Sequence, residues 1–163
     1  MEPEPISARA RTPDMKRGDV APDFELPDQD GTPRRLSTML ADGPVVLFFY
    51  PLASSSGCTT EMCTVRDEAS RFAAVGAQRI GVSRDSVEKQ KAFAEGNGFD
   101  YPLLADVDGA VCEAYGTKRN MTAAPVKRHT YVIGTDGLVR DVFKSEFRFG
   151  KHADKALAAL SPA

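Results

Sequence analysis

Two cysteines carry most of the chemistry this sequence offers. Cys58 and Cys63 lie in the run Tyr50-Pro51-Leu52-Ala53-Ser54-Ser55-Ser56-Gly57-Cys58-Thr59-Thr60-Glu61-Met62-Cys63. Residues 45–50 are apolar, and residues 65–75 carry apolar side chains at helical spacing. This is the layout of a strand that delivers a Pro/Ser/Gly loop onto a helix N-terminus, with Cys58 at the junction. Unpaired backbone N–H groups and the positive end of the helix dipole favour a thiolate there, and the thiolate is the nucleophilic form of cysteine. Most free cysteines are packing residues. Cys58, however, is flanked by Gly57 and three serines rather than by an apolar run.

Cys63 follows Cys58 by five residues. On an intact helix that step is about 7.5 Å of rise and about 140° of rotation, so the two side chains point apart. Their Cα atoms would lie beyond the ~7 Å reach of a disulfide. The spacing therefore predicts a pair with two states, a reduced helical one and an oxidised one in which the first helical turn has unwound. A structural zinc site would need two further ligands at regular spacing. Only Cys112, His129 and His152 remain, and no two of them make such a pair. The thioredoxin-type pair with two intervening residues is absent.

The positioning elements are legible in outline. Residues 44–50 read as a central strand covered on both faces. Met62, Val65, Ala69, Phe72 and Ala73 form a helical stripe. Short strands are predicted at 20–26, 78–82 and 101–104, and a helical turn at 36–40. A helix begins after Asp85-Ser86 and ends near Gly96-Asn97-Gly98; another spans 110–115. A hairpin runs over 130–143 through Asp136-Gly137, and a helix over 152–160 has an Ala/Leu face. Alternating strands and helices closed by a hairpin indicate α/β.

Composition narrows the rest. A chain of 163 residues is long enough for one domain with a real core. Residues 1–17, rich in proline and charge, read as a disordered tail, leaving a single domain over 18–163. A net charge of −2 gives no reason to expect nucleic acid, and no apolar stretch is long enough for a membrane helix. Three cysteines, an odd number, fit a reducing compartment, the cytoplasm, better than a secreted disulfide framework.

The run around Cys58 resembles the peroxiredoxin motif Pro-x-x-x-Thr/Ser-x-x-Cys, here Pro51, Ser55 and Cys58. Glu61 and the five-residue step to Cys63 resemble the PrxQ, or bacterioferritin-comigratory, branch. The resemblance extends over residues 16–160 and implies a thioredoxin-like fold, a central mixed sheet flanked by helices. It implies a thiol peroxidase without metal or other cofactor, with peroxide as substrate and thioredoxin or another dithiol as reductant. On that basis Cys58 is the nucleophile, Cys63 resolves the sulfenic acid, Ser55 offers a hydroxyl, and Pro51 shapes and shields the pocket. Arg128, in itself a charge in the Lys127-Arg128-His129 cluster, becomes the cation beside Cys58. Glu61 alone would oppose a thiolate; beside an arginine it orients that arginine. Cys112 reads as packing, and His129 and His152 as non-catalytic. The branch usually carries Thr-Pro-Gly-Cys where this chain has Ser55-Ser56-Gly57-Cys58. A monomer is expected. Two other readings use the same pair: a thioredoxin-fold metallochaperone, and a redox-regulated binding protein without turnover.

Overall fold

A computed structural model describes residues 15–160. A small antiparallel pair, β1 (Glu25–Pro27) and β2 (Pro33–Arg35), leads through α1 (Leu36–Met39) and a 3-10 turn into β3 (Val45–Phe49). There follow α2 (Ser56–Asp67), α3 (Ala69–Ala74), β4 (Gln78–Ser83), α4 (Val87–Asn97), β5 (Leu103–Ala105), α5 (Ala110–Ala114), β6 (His129–Ile133), β7 (Val139–Lys144) and α6 (Lys151–Leu160). The main sheet has the order β5-β4-β3-β6-β7. β3, β4 and β5 are parallel; β6 and β7 run antiparallel to their neighbours.

β3 shows why an uninterrupted apolar run is needed at the centre. Its side chains alternate between two cores, as a pleated strand requires. Val45, Leu47 and Phe49 join Phe24, Leu36, Tyr115 and Tyr131 on one face. Val46, Phe48 and then Tyr50 join Met62, Val65, Phe72, Phe93 and Leu157 on the other. α2 and α6 both lie on this second face, and Cys58 belongs to it. The strand thus ends just before the loop that carries the reactive sulfur.

Several boundaries differ from those predicted. Val20 makes only a bridge to Leu138, Pro22 has no N–H with which to continue that pairing, and the paired strand starts at Glu25. β5 begins at Leu103, directly after Pro102. The helix predicted through 65–75 breaks at Glu68, whose ψ of 16° lies outside the helical range. Of the expected tail, residues 1–14 lie outside the described residues. Met15 is buried in the first core, and the Gly18 N–H donates to Val139 O.

Candidate active site

The loop after β3 is held at its start and at its end. Asp85 Oδ2 accepts from the Ala53 N–H at 2.8 Å and from Ser83 Oγ at 2.7 Å. Ser54 then adopts φ 67°, the left-handed region, which turns the chain toward the helix. Ser55 is the N-cap of α2: its Oγ accepts from the Cys58 N–H at 3.4 Å and donates to Leu52 O at 2.9 Å. Both the Ser55 hydroxyl proton and the Cys58 amide are therefore engaged in the resting loop. Pro51, at the start of the loop, is buried. Cys58, in the first turn of this capped helix, is 0% exposed.

Arg128 approaches from the start of β6. Its Nη2 lies 3.4 Å from Cys58 Sγ, and its Nη1 donates to Glu61 Oε1 at 2.6 Å. Glu61 lies one turn beyond Cys58 on the same helix face, which lets one guanidinium reach both. The segment after β7 fixes the arginine from the other side. Glu146 O accepts from Arg128 Nε at 3.1 Å, and Glu146 Oε2 accepts from the Arg128 backbone N–H at 2.9 Å and from Arg119 Nη2 at 2.9 Å. The Phe149 ring sits 4.7 Å from Arg128 Cζ. It also explains Gly57: a Cβ there would fall 2.7 Å from the Phe149 ring and 3.2 Å from Arg128 Nη2. Any side chain at residue 57 would displace the Phe149 ring and crowd the guanidinium that reaches the sulfur.

Cys63 is on the same intact helix, partly buried, with its Sγ directed at Asn97 Oδ1 at 3.8 Å. All three cysteines are free thiols. The structure thus links Cys58 with Ser55, Arg128 and, through Arg128, Glu61, while Pro51 is buried at the start of the loop. It leaves Cys63 apart, as the helical spacing requires. Among the described residues, no three His, Cys, Asp or Glu side chains group as a metal site would need, and no helix is long and apolar enough to cross a membrane.

A profile of the AhpC/TSA family matches residues 17–142. The chain belongs to that family. A putative peroxiredoxin of Mycobacterium tuberculosis is 59% identical over 148 residues, covering 90% of this chain and 96% of the relative. The chloroplastic peroxiredoxin Q of Arabidopsis thaliana is 37% identical over 149 residues, covering 91% and 68%. Among solved structures, peroxidoxin BcpB from Mycobacterium tuberculosis matches with a TM-score of 0.86 at 59% identity, over 90% of this chain and 96% of that one. Xanthomonas campestris peroxiredoxin Q matches with a TM-score of 0.76 at 34% identity, over 84% and 89%. These relatives place the chain among peroxiredoxins of the PrxQ and bacterioferritin-comigratory branch, with the thioredoxin-like fold the motif implies.

Within this peroxiredoxin, Cys112 lies in the core on the far face of the sheet from Cys58. Burial, reinforced by Asp106, pushes its thiol well above the ordinary range, which suits a packing role. His129 is buried on β6, with Nδ1 3.3 Å from Tyr131 Oη. His152, which the sequence offers only as a non-catalytic position, lies beside the cluster. It is fully buried, and its Nδ1 lies 3.6 Å from Glu61 Oε2. The available signal was its place on the apolar stripe of α6 with Ala153, Ala156 and Leu157. Glu146 and Phe149 gave no such signal, because they sit in irregular chain.

Proposed function

We propose that this chain reduces hydrogen peroxide and organic hydroperoxides at Cys58. The Cys58 thiolate attacks the terminal oxygen of the peroxide and the O–O bond breaks. Cys58 becomes a sulfenic acid, and the departing oxygen leaves as water or alcohol after taking up a proton. The Cys63 thiolate then attacks the Cys58 sulfur and expels water, leaving a Cys58–Cys63 disulfide. Thioredoxin or a similar dithiol reduces that bond by exchange, and the cycle repeats as a monomer in a reducing compartment. The observation that carries this reading is the Arg128 guanidinium 3.4 Å from a sulfur at the start of α2. It stabilises negative charge on the sulfur and presents N–H donors where the leaving oxygen gathers charge. The related bacterioferritin comigratory protein of Xanthomonas campestris, 33% identical, is described by its alkyl peroxide reduction activity.

The disulfide step requires the first turn of α2 to unwind, and the geometry indicates where. Beyond Glu61 the helix is tied to its surroundings: Tyr101 Oη donates to Met62 O at 2.6 Å, and Arg79 Nη1 to Val65 O at 3.2 Å. Before Glu61 it is held by the Ser55 cap and the Glu61–Arg128 pair. Mass spectrometry after one equivalent of peroxide tests the whole scheme. The parent gains a Cys58–Cys63 disulfide, Cys63→Ser accumulates sulfenic acid on Cys58, and Cys58→Ser leaves the peroxide unconsumed. Peroxide consumption by Cys58→Ser would remove the assignment.

A further inference from the structure

The catalytic cation faces more negative charge than it can satisfy. Arg128 bonds Cys58 Sγ and Glu61 Oε1, both anionic if fully ionised. Glu146 adds a third acid, but Arg119 meets its charge at 2.9 Å. Two cations and three acids leave one charge over, in a place where both Cys58 and Glu61 are 0% exposed. An uncompensated buried charge is strongly unfavourable, so a proton has to enter the cluster.

The position of that proton follows from the unused atoms. Glu61 Oε2 is buried and has no hydrogen-bond partner. It faces His152 Nδ1 at 3.6 Å, short of a hydrogen bond but close enough for one group's charge to set the other's. His152 Nε2 lies 2.8 Å from Ser145 O, which can only accept, so Nε2 carries a hydrogen. Thr130 Oγ1 lies 2.6 Å from Nδ1. With a neutral ring, Thr130 donates to the single lone pair of Nδ1, and the ring has no hydrogen left to offer Glu61 Oε2. A carboxylate whose buried Oε2 meets no donor is disfavoured; a carboxylic acid, or a carboxylate beside an imidazolium, is not.

We propose that Glu61 and His152 hold one proton between them, so that His152 acts as a positioning residue that leaves the charge of Arg128 to the Cys58 sulfur. Among the described residues, the other charged and titratable groups near the pair are already engaged or held neutral. Facing the pair are Cys58 on α2, Arg128 ahead of β6, Glu146 after β7, and Tyr101 before β5, whose phenol burial keeps neutral. The directions agree with a shared proton. Burial pushes Glu61 up to about 7 against the pull of Arg128, and burial pushes His152 down to about 4. The inference rests on the proposed function only in taking Cys58 as the reacting thiol.

Thiolate absorbance titration in a Cys63→Ser background, with Cys58→Ser subtracted, reads the Cys58 charge directly and without peroxide turnover. His152→Gln supplies an amide N–H to Glu61 Oε2 and fixes Glu61 as an anion. The Cys58 midpoint should then rise by about one pH unit, about tenfold less thiolate at a given pH. In a Glu61→Gln background the same His152→Gln change should shift it by less than about a third of a unit. An unchanged midpoint, or an equal shift in both backgrounds, overturns the proposal. If His152→Gln does not fold, the parent decides it. Infrared difference spectra against Glu61→Gln, with nitrogen chemical shifts of His152, should show at pH 6 either a protonated Glu61 or an imidazolium. A carboxylate beside a neutral ring would sink it.

Discussion

Replacing Arg128 shows what one side chain contributes at the sulfur. Arg128→Met removes the Nη2 contact at 3.4 Å from Cys58 Sγ and the Nη1 bond to Glu61 in one step. Loss of a single oriented donor at a developing anion typically lowers a rate ~100- to 1,000-fold. Peroxide consumption by Arg128→Met should fall by at least that much, measured as the second-order rate of Cys58 oxidation in stopped flow. Arg128→Lys should restore little of it. An ammonium is a point charge and lacks the planar fork that spans a sulfur and a carboxylate at once. Breaking a buried ion pair usually costs ~3–5 kcal/mol. Here the cost should be smaller below neutral pH, because Glu61, already raised to about 7 by burial, answers the loss of Arg128 by keeping its proton. Near-parent rates in Arg128→Met would remove the cation from the mechanism while leaving the fold untouched.

At the scale of one helix, the first turn of α2 has to be stable enough to present Cys58 and loose enough to give it up to Cys63. Ser55 is the N-cap with φ −70° and ψ 154°, so Ser56 takes the first helical position. That is where proline fits best: its N–H would be unpaired anyway, and the extended conformation of Ser55 is the one a following proline demands. Ser56→Pro should therefore stabilise the reduced protein, by roughly 0.4–1 kcal/mol through the unfolded chain. The same stiffening acts against unwinding. Sulfenic acid should form on Cys58 at the parent rate while the disulfide with Cys63 forms more slowly. Stopped-flow traces separate the two steps, and a disulfide step as fast as in the parent would mean that Ser56 does not govern the melting of this turn. Ser55, where the branch usually has threonine, keeps the cap hydroxyl, and Ser56, where it usually has proline, leaves the turn free.

For the whole molecule, what was legible followed from short-range rules. The apolar run of β3, the Ser86 cap and Gly98 end of α4, and the Asp136-Gly137 hairpin each declare themselves within a few residues, and each stands where expected. Cys58, Ser55 and Glu61 were legible together because one helix start carries all three. Arg128 is 70 residues from Cys58, and only family resemblance singled it out. Glu146 and Phe149 carry no local signal and His152 only that of a buried position on α6, because the packing of β6, β7 and α6 against α2 is what brings them to the cluster. That long-range assembly has a thermodynamic signature. Glu61 has its ordinary value of 4.5 raised to about 7, so between those pH values the unfolded chain has released a proton the folded one keeps, and stability falls as pH rises. His152 has its ordinary 6.5 lowered to about 4, so across that range the unfolded chain binds a proton the folded one refuses, and stability rises with pH. The two slopes are opposite and overlap between pH 4.5 and 6.5, where they nearly cancel. Glu61→Gln deletes the falling slope and leaves the rising one, since a neutral amide then stands where the buried acid kept its proton and burial still depresses His152. Relative to the parent, the variant should gain stability from pH 5 to pH 6 by up to about 1.4 kcal/mol, the value of one proton per pH unit. Urea unfolding of both proteins at the two pH values measures it, and the comparison cancels every other titrating group. Parallel stability curves would mean that the buried acid and imidazole do not exchange a proton with the unfolded chain in the way their burial requires.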